Sequence, residues 1–201
     1  MKFVSEKIID AVIDELENYS DEQYETQMEA FAEEQPVLFA WLFSEHFELL
    51  NEEEKGYLQY LSLIAWRSIV KTNGNLESAS EEQIGLAEEA NYAILDASNA
   101  KNFRDRLNEF FEGSDQEDLL AFAEEAVLED EDDPESIVTK EGKEPIFIAL
   151  KTMVDVLTGE WSMRNVSMRS AERWVRITIL CTLLHNKPQR GIPQQRAKPV
   201  D

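Results

Sequence analysis

The sequence contains few of the residues that most often carry out chemistry. Its 201 residues include one cysteine, two histidines and seven glycines. A single cysteine cannot form an intramolecular disulfide, and Cys181 lies in an apolar run, which indicates a small buried hydrophobe and not a nucleophile. Neither glycine-rich phosphate motif, G-x-G-x-x-G or G-x-x-x-x-G-K-[ST], occurs. We therefore expect no nucleotide site.

Neither histidine has the spacing that a metal site in a helical bundle requires. Such sites use Glu-x-x-His, which places both ligands one turn apart on an inward face. The residue three before His46 is Phe43, and the residue three before His185 is Thr182. We expect His46 to be half-buried and hydrogen-bonded among Phe39, Phe43, Phe47 and Leu50. The sequence thus predicts no metal, no cofactor and no enzymatic activity.

Basic residues are scarce, and they are unevenly distributed. The chain has 19 Lys and Arg against 42 Asp and Glu, a formal net charge of -23. Residues 160–201 contain eight bases and three acids, whereas residues 1–159 contain 11 bases and 39 acids. Phosphate backbones and anionic lipids repel so negative a surface. We therefore expect no direct binding to nucleic acid or to membranes.

Long hydrophobic runs are also missing. The N-terminal stretch MKFVSEKIIDAVIDELE has acids where a secretory signal has its apolar core, and no run is long enough to span a bilayer. Yet 43% of the residues are hydrophobic, with ten Phe and four Trp, which excludes global disorder. The sequence predicts a folded, soluble, cytoplasmic protein.

Most of the chain shows apolar residues at three-and-four spacing, which is typical of amphipathic helices. Helix starts are predicted from capping residues at Ser5, Ser20, Asn51, Ser80, Asn99 and Ser114. A helix beginning at Pro36 is rich in aromatic residues, and we place it inside the bundle. A last apolar helix is predicted from Ile146 to Leu157, ending at Gly159. The fold class is therefore all-α, an irregular multi-helix bundle of about eight or nine helices.

Four of the predicted caps leave a second architecture open. Ser20, Asn51, Ser80 and Ser114 are 31, 29 and 34 residues apart in the sequence. Such regular spacing suits a short α-solenoid of stacked helix pairs. The segments between the caps show little sequence similarity, which favours the bundle.

The predicted domain organisation is one helical domain, residues 1–186, with a long exposed acidic loop at 129–145. Residues 187–201, which are basic and contain three prolines, are predicted to be disordered. Within the domain, the apolar run at 174–184 fits a helix or a strand. We predict a helix, because an isolated strand would have no partner for its backbone groups.

The distinctive binding candidates are basic residues near the C-terminus. They are Arg164, Arg169, Arg173, Arg176, Lys187 and Arg190. Either the arginines pack on the acidic remainder of the chain, or they dock an acidic partner. The sequence thus predicts a non-enzymatic acidic helical protein that binds another protein. Two alternatives stay open: a DNA-mimic inhibitor of a nucleic-acid-binding protein, and a small-molecule-binding or enzymatic bundle with a cavity between aromatic helices.

Overall fold

Eight α-helices and one short 3-10 helix make up the residues that the computed structural model describes, which are 1–112, 114–128 and 136–159. The α-helices are α1 (Glu6–Glu17), α2 (Asp21–Glu34), α3 (Pro36–Leu42), α4 (Glu52–Asn73), α5 (Glu81–Ala97), α6 (Phe103–Phe111), α7 (Glu117–Leu128) and α8 (Lys143–Thr158). The 3-10 helix, Glu45–Phe47, lies between α3 and α4. These described residues contain no strand, so the predicted all-α bundle is confirmed for them.

Helix α8 lies at the centre of the bundle. It is buried along almost its whole length and packs against α4, α5 and α7. Its predicted end is confirmed, because Gly159 takes the left-handed conformation at φ 77°. Around this centre, α1 packs on α4 and α7, α2 on α4, α3 on α5, and α6 on α5 and α7. In a solenoid each repeat contacts only its neighbours, so that alternative is wrong for the described helices.

Three of the predicted N-terminal caps are confirmed. Ser20, Asn51 and Ser80 each form a reciprocal capping box with the residue three positions on. In such a box the cap side chain accepts from one backbone N–H while the N3 side chain accepts from another. Ser5 occupies the N-cap position of α1, but its side chain makes no capping hydrogen bond.

The predicted starts of α6 and α7 are wrong by three and two residues. Asn102, not Asn99, caps α6, and its Oδ1 accepts from the Asp105 N–H at 2.8 Å. Helix α7 begins at Glu117, and the Ser114 hydroxyl accepts from the Gln116 N–H at 3.0 Å. Several cap-forming residues occur together in each connection, so side-chain chemistry alone does not select one of them.

The prediction that the aromatic helix lies inside the bundle is also wrong. Helix α3 has only seven residues and buries just Leu38 and Leu42. The Phe43 side chain is exposed and stacks on Phe39, with ring centroids 4.3 Å apart. The chain leaves the helix at Phe43, so that Phe47 enters the core from the 3-10 helix instead. Phe39 and Trp41 are only partly buried against the core.

Two buried glutamines fix extended segments between the helices. The Gln116 side chain accepts from the Val4 N–H at 3.0 Å and donates to the Lys2 carbonyl at 3.3 Å. The Gln35 side chain accepts from the Ala79 N–H at 2.9 Å and donates to the Glu77 carbonyl at 3.0 Å. A primary amide matches a peptide in having both donor and acceptor, so each glutamine satisfies backbone groups as a neighbouring strand would.

Glu54 also fixes a segment outside the helices, the one before α8, through side-chain hydrogen bonds to its backbone. This carboxylate is 1% exposed, and its Oε2 accepts from the Asn51 N–H at 2.9 Å. Its Oε1 accepts from both the N–H and the hydroxyl of Thr139, at 2.8 and 2.7 Å. Hydrogen bonds to an ionised acceptor are roughly twice as strong as neutral ones. Glu54 therefore joins the start of α4 to the start of α8.

The exposed loop predicted at 129–145 is correspondingly too long. Val138 and Gly142 are buried, and α8 already begins at Lys143. Pro145 lies in the first turn of α8, where a missing N–H costs nothing. Residues 129–135 lie outside the described part of the chain, as do 174–184, the predicted boundary at 186 and the tail 187–201.

Gly142→Ala is expected to destabilise the protein by about 1–3 kcal/mol, as overpacking in a filled core does. A Cβ at this position would lie 2.7 Å from Glu54 Cδ and still closer to Oε1. The backbone itself, at φ -80°, would accept alanine. Urea denaturation at pH 7 measures the difference.

Gly85→Ala is the matched control, because a Cβ there meets nothing within 4 Å in the middle of α5. This change should stabilise the helix by roughly 0.5–1 kcal/mol. Equal effects of the two substitutions would contradict the role given to Glu54.

Candidate functional site

A groove of about 400 Å³ runs between α1 and α7. The two helices begin at the same end, where the Glu6 N–H donates to Asp118 Oδ2 at 2.8 Å. Asp118 thereby satisfies a backbone N–H in the first turn of α1, where the Ser5 side chain makes no capping hydrogen bond. Because both helices run away from this contact, their side chains face each other across the groove.

The groove has an apolar floor and acidic walls. Helix α1 contributes Glu6, Ile9, Asp10 and Ile13, and α7 contributes Asp118, Ala121, Phe122, Glu124 and Glu125. Arg104 on α6 is the one base among the described lining residues. Five carboxylates thus surround a strip of apolar side chains, which makes the groove suited to a ligand that is both cationic and apolar.

The groove depends on which apolar residues of α1 and α7 are buried in the core and which of them face the space between the two helices. Helix α1 buries Ile9, Val12 and Leu16, while Ile13 is only partly buried. On α7 the residue facing the gap is Ala121, which is exposed and has the smallest chiral side chain. A larger residue there would fill the space between the helices.

Several cations of the described residues are already paired with carboxylates. Arg67 and Lys71 on α4 both bind Glu15 on α1, Arg106 binds Glu144 at 3.3 Å, and Lys151 binds Asp155. At the groove, Arg104 is 67% exposed and stands 3.9 Å from Glu124. Such an exposed pair contributes little, so the groove remains negative.

His46 lies on a different face. Its Nε2 is 2.6 Å from Glu88 Oε1, which links the 3-10 helix to α5. The ring packs near Trp41 and Phe47, at centroid distances of 6.2 and 5.1 Å. The predicted hydrogen bond and the contact with Phe47 are confirmed, and the side chain is 46% exposed. Its position indicates a structural tie between two elements.

A cluster of buried polar residues lies between α5 and α8. Asp155 accepts from Lys151 and, at 3.0 Å, from the Asn91 side chain, which also lies 3.2 Å from the Thr152 hydroxyl. Each of these charges has an opposite charge or an amide beside it. Buried pairs of this kind add little net stability but are costly to break. We interpret the cluster as setting the position of α8 against α5.

The predicted binding residues all lie outside the described part of the chain. They are Arg164, Arg169, Arg173, Arg176, Lys187 and Arg190. The groove, which the structure places on α1 and α7, was missed. On the sequence, Asp10 and Glu125 look like ordinary solvated residues of amphipathic helices. Nothing in the local pattern shows that two segments more than 100 residues apart lie side by side.

Comparisons of the chain with protein-family models, with curated proteins and with solved structures find no match. Within residues 1–112, 114–128 and 136–159, no group of three or more His, Cys, Asp or Glu side chains is placed to hold a metal ion. None of the helices described there has the length and apolar character needed to cross a membrane. The function must therefore be argued from the groove itself.

Glu15→Gln is expected to lower stability at pH 7 and to matter less in acid. The hydrogen bond from Lys71, with help from the charge of Arg67, holds the pKa of the Glu15 carboxyl below its usual 4.5. A lowered pKa stabilises the folded state above the unfolded value, and this contribution is lost as pH falls below about 4.5. Because Glu15 is 42% exposed, we expect the substitution to lower the free energy of unfolding at pH 7 by less than about 1 kcal/mol.

Urea denaturation at neutral and at strongly acidic pH measures this difference. Glu29→Gln, at an exposed position on α2, is the control for the loss of one carboxylate. A Glu15→Gln effect of the same size at both pH values would contradict the assignment.

Proposed function

We propose that this protein is a non-enzymatic helical protein that acts in the cytoplasm by binding another protein, and that the groove between α1 and α7 is its binding surface. The observation that carries the proposal is the combination of an apolar floor with acidic walls. Protein interfaces commonly have an apolar centre surrounded by a polar rim. Ile13 and Phe122 pack against the core and are only partly buried, so they also contribute apolar surface to the groove.

The charge of the protein indicates what kind of partner it selects. Residues 1–159 contain 39 acids against 11 bases, and several of those bases are engaged in ion pairs. Such a field repels nucleic acid and anionic lipid and accelerates encounters with basic proteins. A basic protein is therefore the partner we propose.

A DNA-mimic inhibitor is the nearest alternative, since it would also bind a basic protein. Such an inhibitor works through carboxylates that imitate phosphates, and its partner would be a nucleic-acid-binding protein. The apolar floor favours the more general interaction, because phosphate mimicry does not use it. The basic C-terminal residues Arg164 to Arg190 stay a predicted second surface for an acidic partner.

Reversing two groove charges should weaken partner binding. In the double variant Asp10→Lys/Glu125→Lys, one charge changes on each wall, at exposed positions that the fold does not use. The matched control is Glu29→Lys/Glu33→Lys on α2, which changes net charge equally. The full chain and both variants are tagged and used to recover proteins from native cell lysate. The recovered protein is then purified, and its affinity is measured directly.

We expect the partner to bind the full chain and the α2 variant alike, and the groove variant at least about tenfold more weakly, a loss of about 1.4 kcal/mol or more. Equal losses in both variants would show that only net charge matters and would contradict the groove as the binding surface. Competition by duplex DNA for the purified partner would favour the DNA-mimic alternative.

A further inference from the structure

We infer that the groove between α1 and α7 binds a basic amphipathic α-helix of the partner. This inference rests on the proposed function and specifies the form of the segment that the groove recognises. It follows from the spacing of the lining residues, the position of the charges and the helical form of both walls.

The two walls present the same helical spacing. On α1 the lining residues are 6, 9, 10 and 13, and on α7 they include 118, 121, 122 and 125. In both sets the residues are spaced i, i+3, i+4 and i+7, which places them on one face of their helix. A third helix laid between two such faces can place its own ridges between the side chains of each wall. The spacing thus matches a helical ligand.

The floor offers room for one large apolar side chain. Ile13 and Phe122 are partly buried, and the small side chain of the exposed Ala121 on the α7 wall leaves space in the groove. Helix-in-groove recognition typically uses a few apolar anchors on one helix face. A leucine or larger residue at the centre of the partner helix would fit above Ala121.

The charges lie where the flanks of such a helix would pass. Asp10 stands on one wall and Glu125 on the other, both exposed. Lysine or arginine one turn before and after the apolar anchor reaches these carboxylates, because residues three or four apart share a helix face. A helix with acidic flanks would be repelled by both walls.

An extended ligand fits the groove less well. Extended peptides usually bind by adding a strand to a sheet edge, where they form hydrogen bonds with unpaired backbone groups. Both walls here are helices, whose backbone groups are bonded within the helix except at the ends. Recognition of a polyproline helix needs an aromatic-lined groove, and Phe122 is the one aromatic residue of the described lining.

The length of the groove sets the size of the contact. The lining residues of α1 span eight residues, from Glu6 to Ile13, or about 10 Å over seven steps of 1.5 Å. A partner helix would therefore contact it over about two turns. Helices that short are marginal alone in water, so the segment belongs to a longer helix or becomes helical on binding.

The test uses two synthetic peptides of about 18 residues, long enough to form helix in part. One has a leucine stripe at i, i+4 and i+7 flanked by lysines, and the other has the same composition in scrambled order. Binding to the full chain is followed by fluorescence anisotropy, and helix formation by circular dichroism. We expect the amphipathic peptide to bind at least about tenfold more tightly than the scrambled one, with helicity rising on binding.

A steric variant separates shape from charge. Ala121→Gln fills the depression without changing the charge, and glutamine is a good helix former at this exposed position. We expect this substitution to weaken binding of the amphipathic peptide at least about tenfold. Ala40→Gln, at an exposed position on α3, is the matched control and should leave the affinity unchanged.

Equal binding of both peptides, or an Ala121→Gln variant that binds as tightly as the unaltered chain, would overturn the inference of a helical ligand. Neither result touches the proposed function, which depends on whether the groove charge variant loses its protein partner. The reverse also holds: a partner unaffected by Asp10→Lys/Glu125→Lys overturns the proposed function, whatever the peptides do.

Discussion

The burial of α8 is the constraint on which the rest of the structure depends. Apolar residues lie on almost every side of α8, so α4, α5 and α7 must cover it from solvent. Each of the other described α-helices packs on one or two of these three. The charges that α8 carries inward are paired within the core, where Asp155 binds both Lys151 and Asn91. Breaking such a buried pair by removing one partner typically costs about 3–5 kcal/mol.

The candidate site follows from this arrangement. Helix α1 packs on both α4 and α7, and it is held to α4 by Glu15 and to α7 by Asp118. Its main apolar stripe is used in the core, and that stripe meets the groove at the buried Ile9 and the partly buried Ile13. The bases that tie the helices together are no longer free to neutralise the surface. A groove with acidic walls and apolar lining residues is thus a by-product of how the core of the described helices is closed.

Local signals in the sequence predicted the elements well, because helix caps and apolar spacing act within a few residues. The capping boxes at Ser20, Asn51 and Ser80 and the end of α8 at Gly159 are of this kind. Long-range contacts were not predictable. The Gln116 and Glu54 hydrogen bonds join segments 112 and 85 residues apart. They hold in place backbone segments that look like loops in the sequence. The groove depends on the same kind of contact between α1 and α7, so no local pattern could reveal it.

Mapping the bound surface residue by residue tests the central claim most directly. Amide chemical shifts of the full chain would be recorded by nuclear magnetic resonance while the amphipathic basic peptide is added. The account predicts that the largest changes fall at residues 6–13 and 118–125, with small changes elsewhere in the described helices. Changes spread evenly over the acidic faces of α2 and α5 would contradict it, because they would show that charge alone, and not the groove, attracts the ligand.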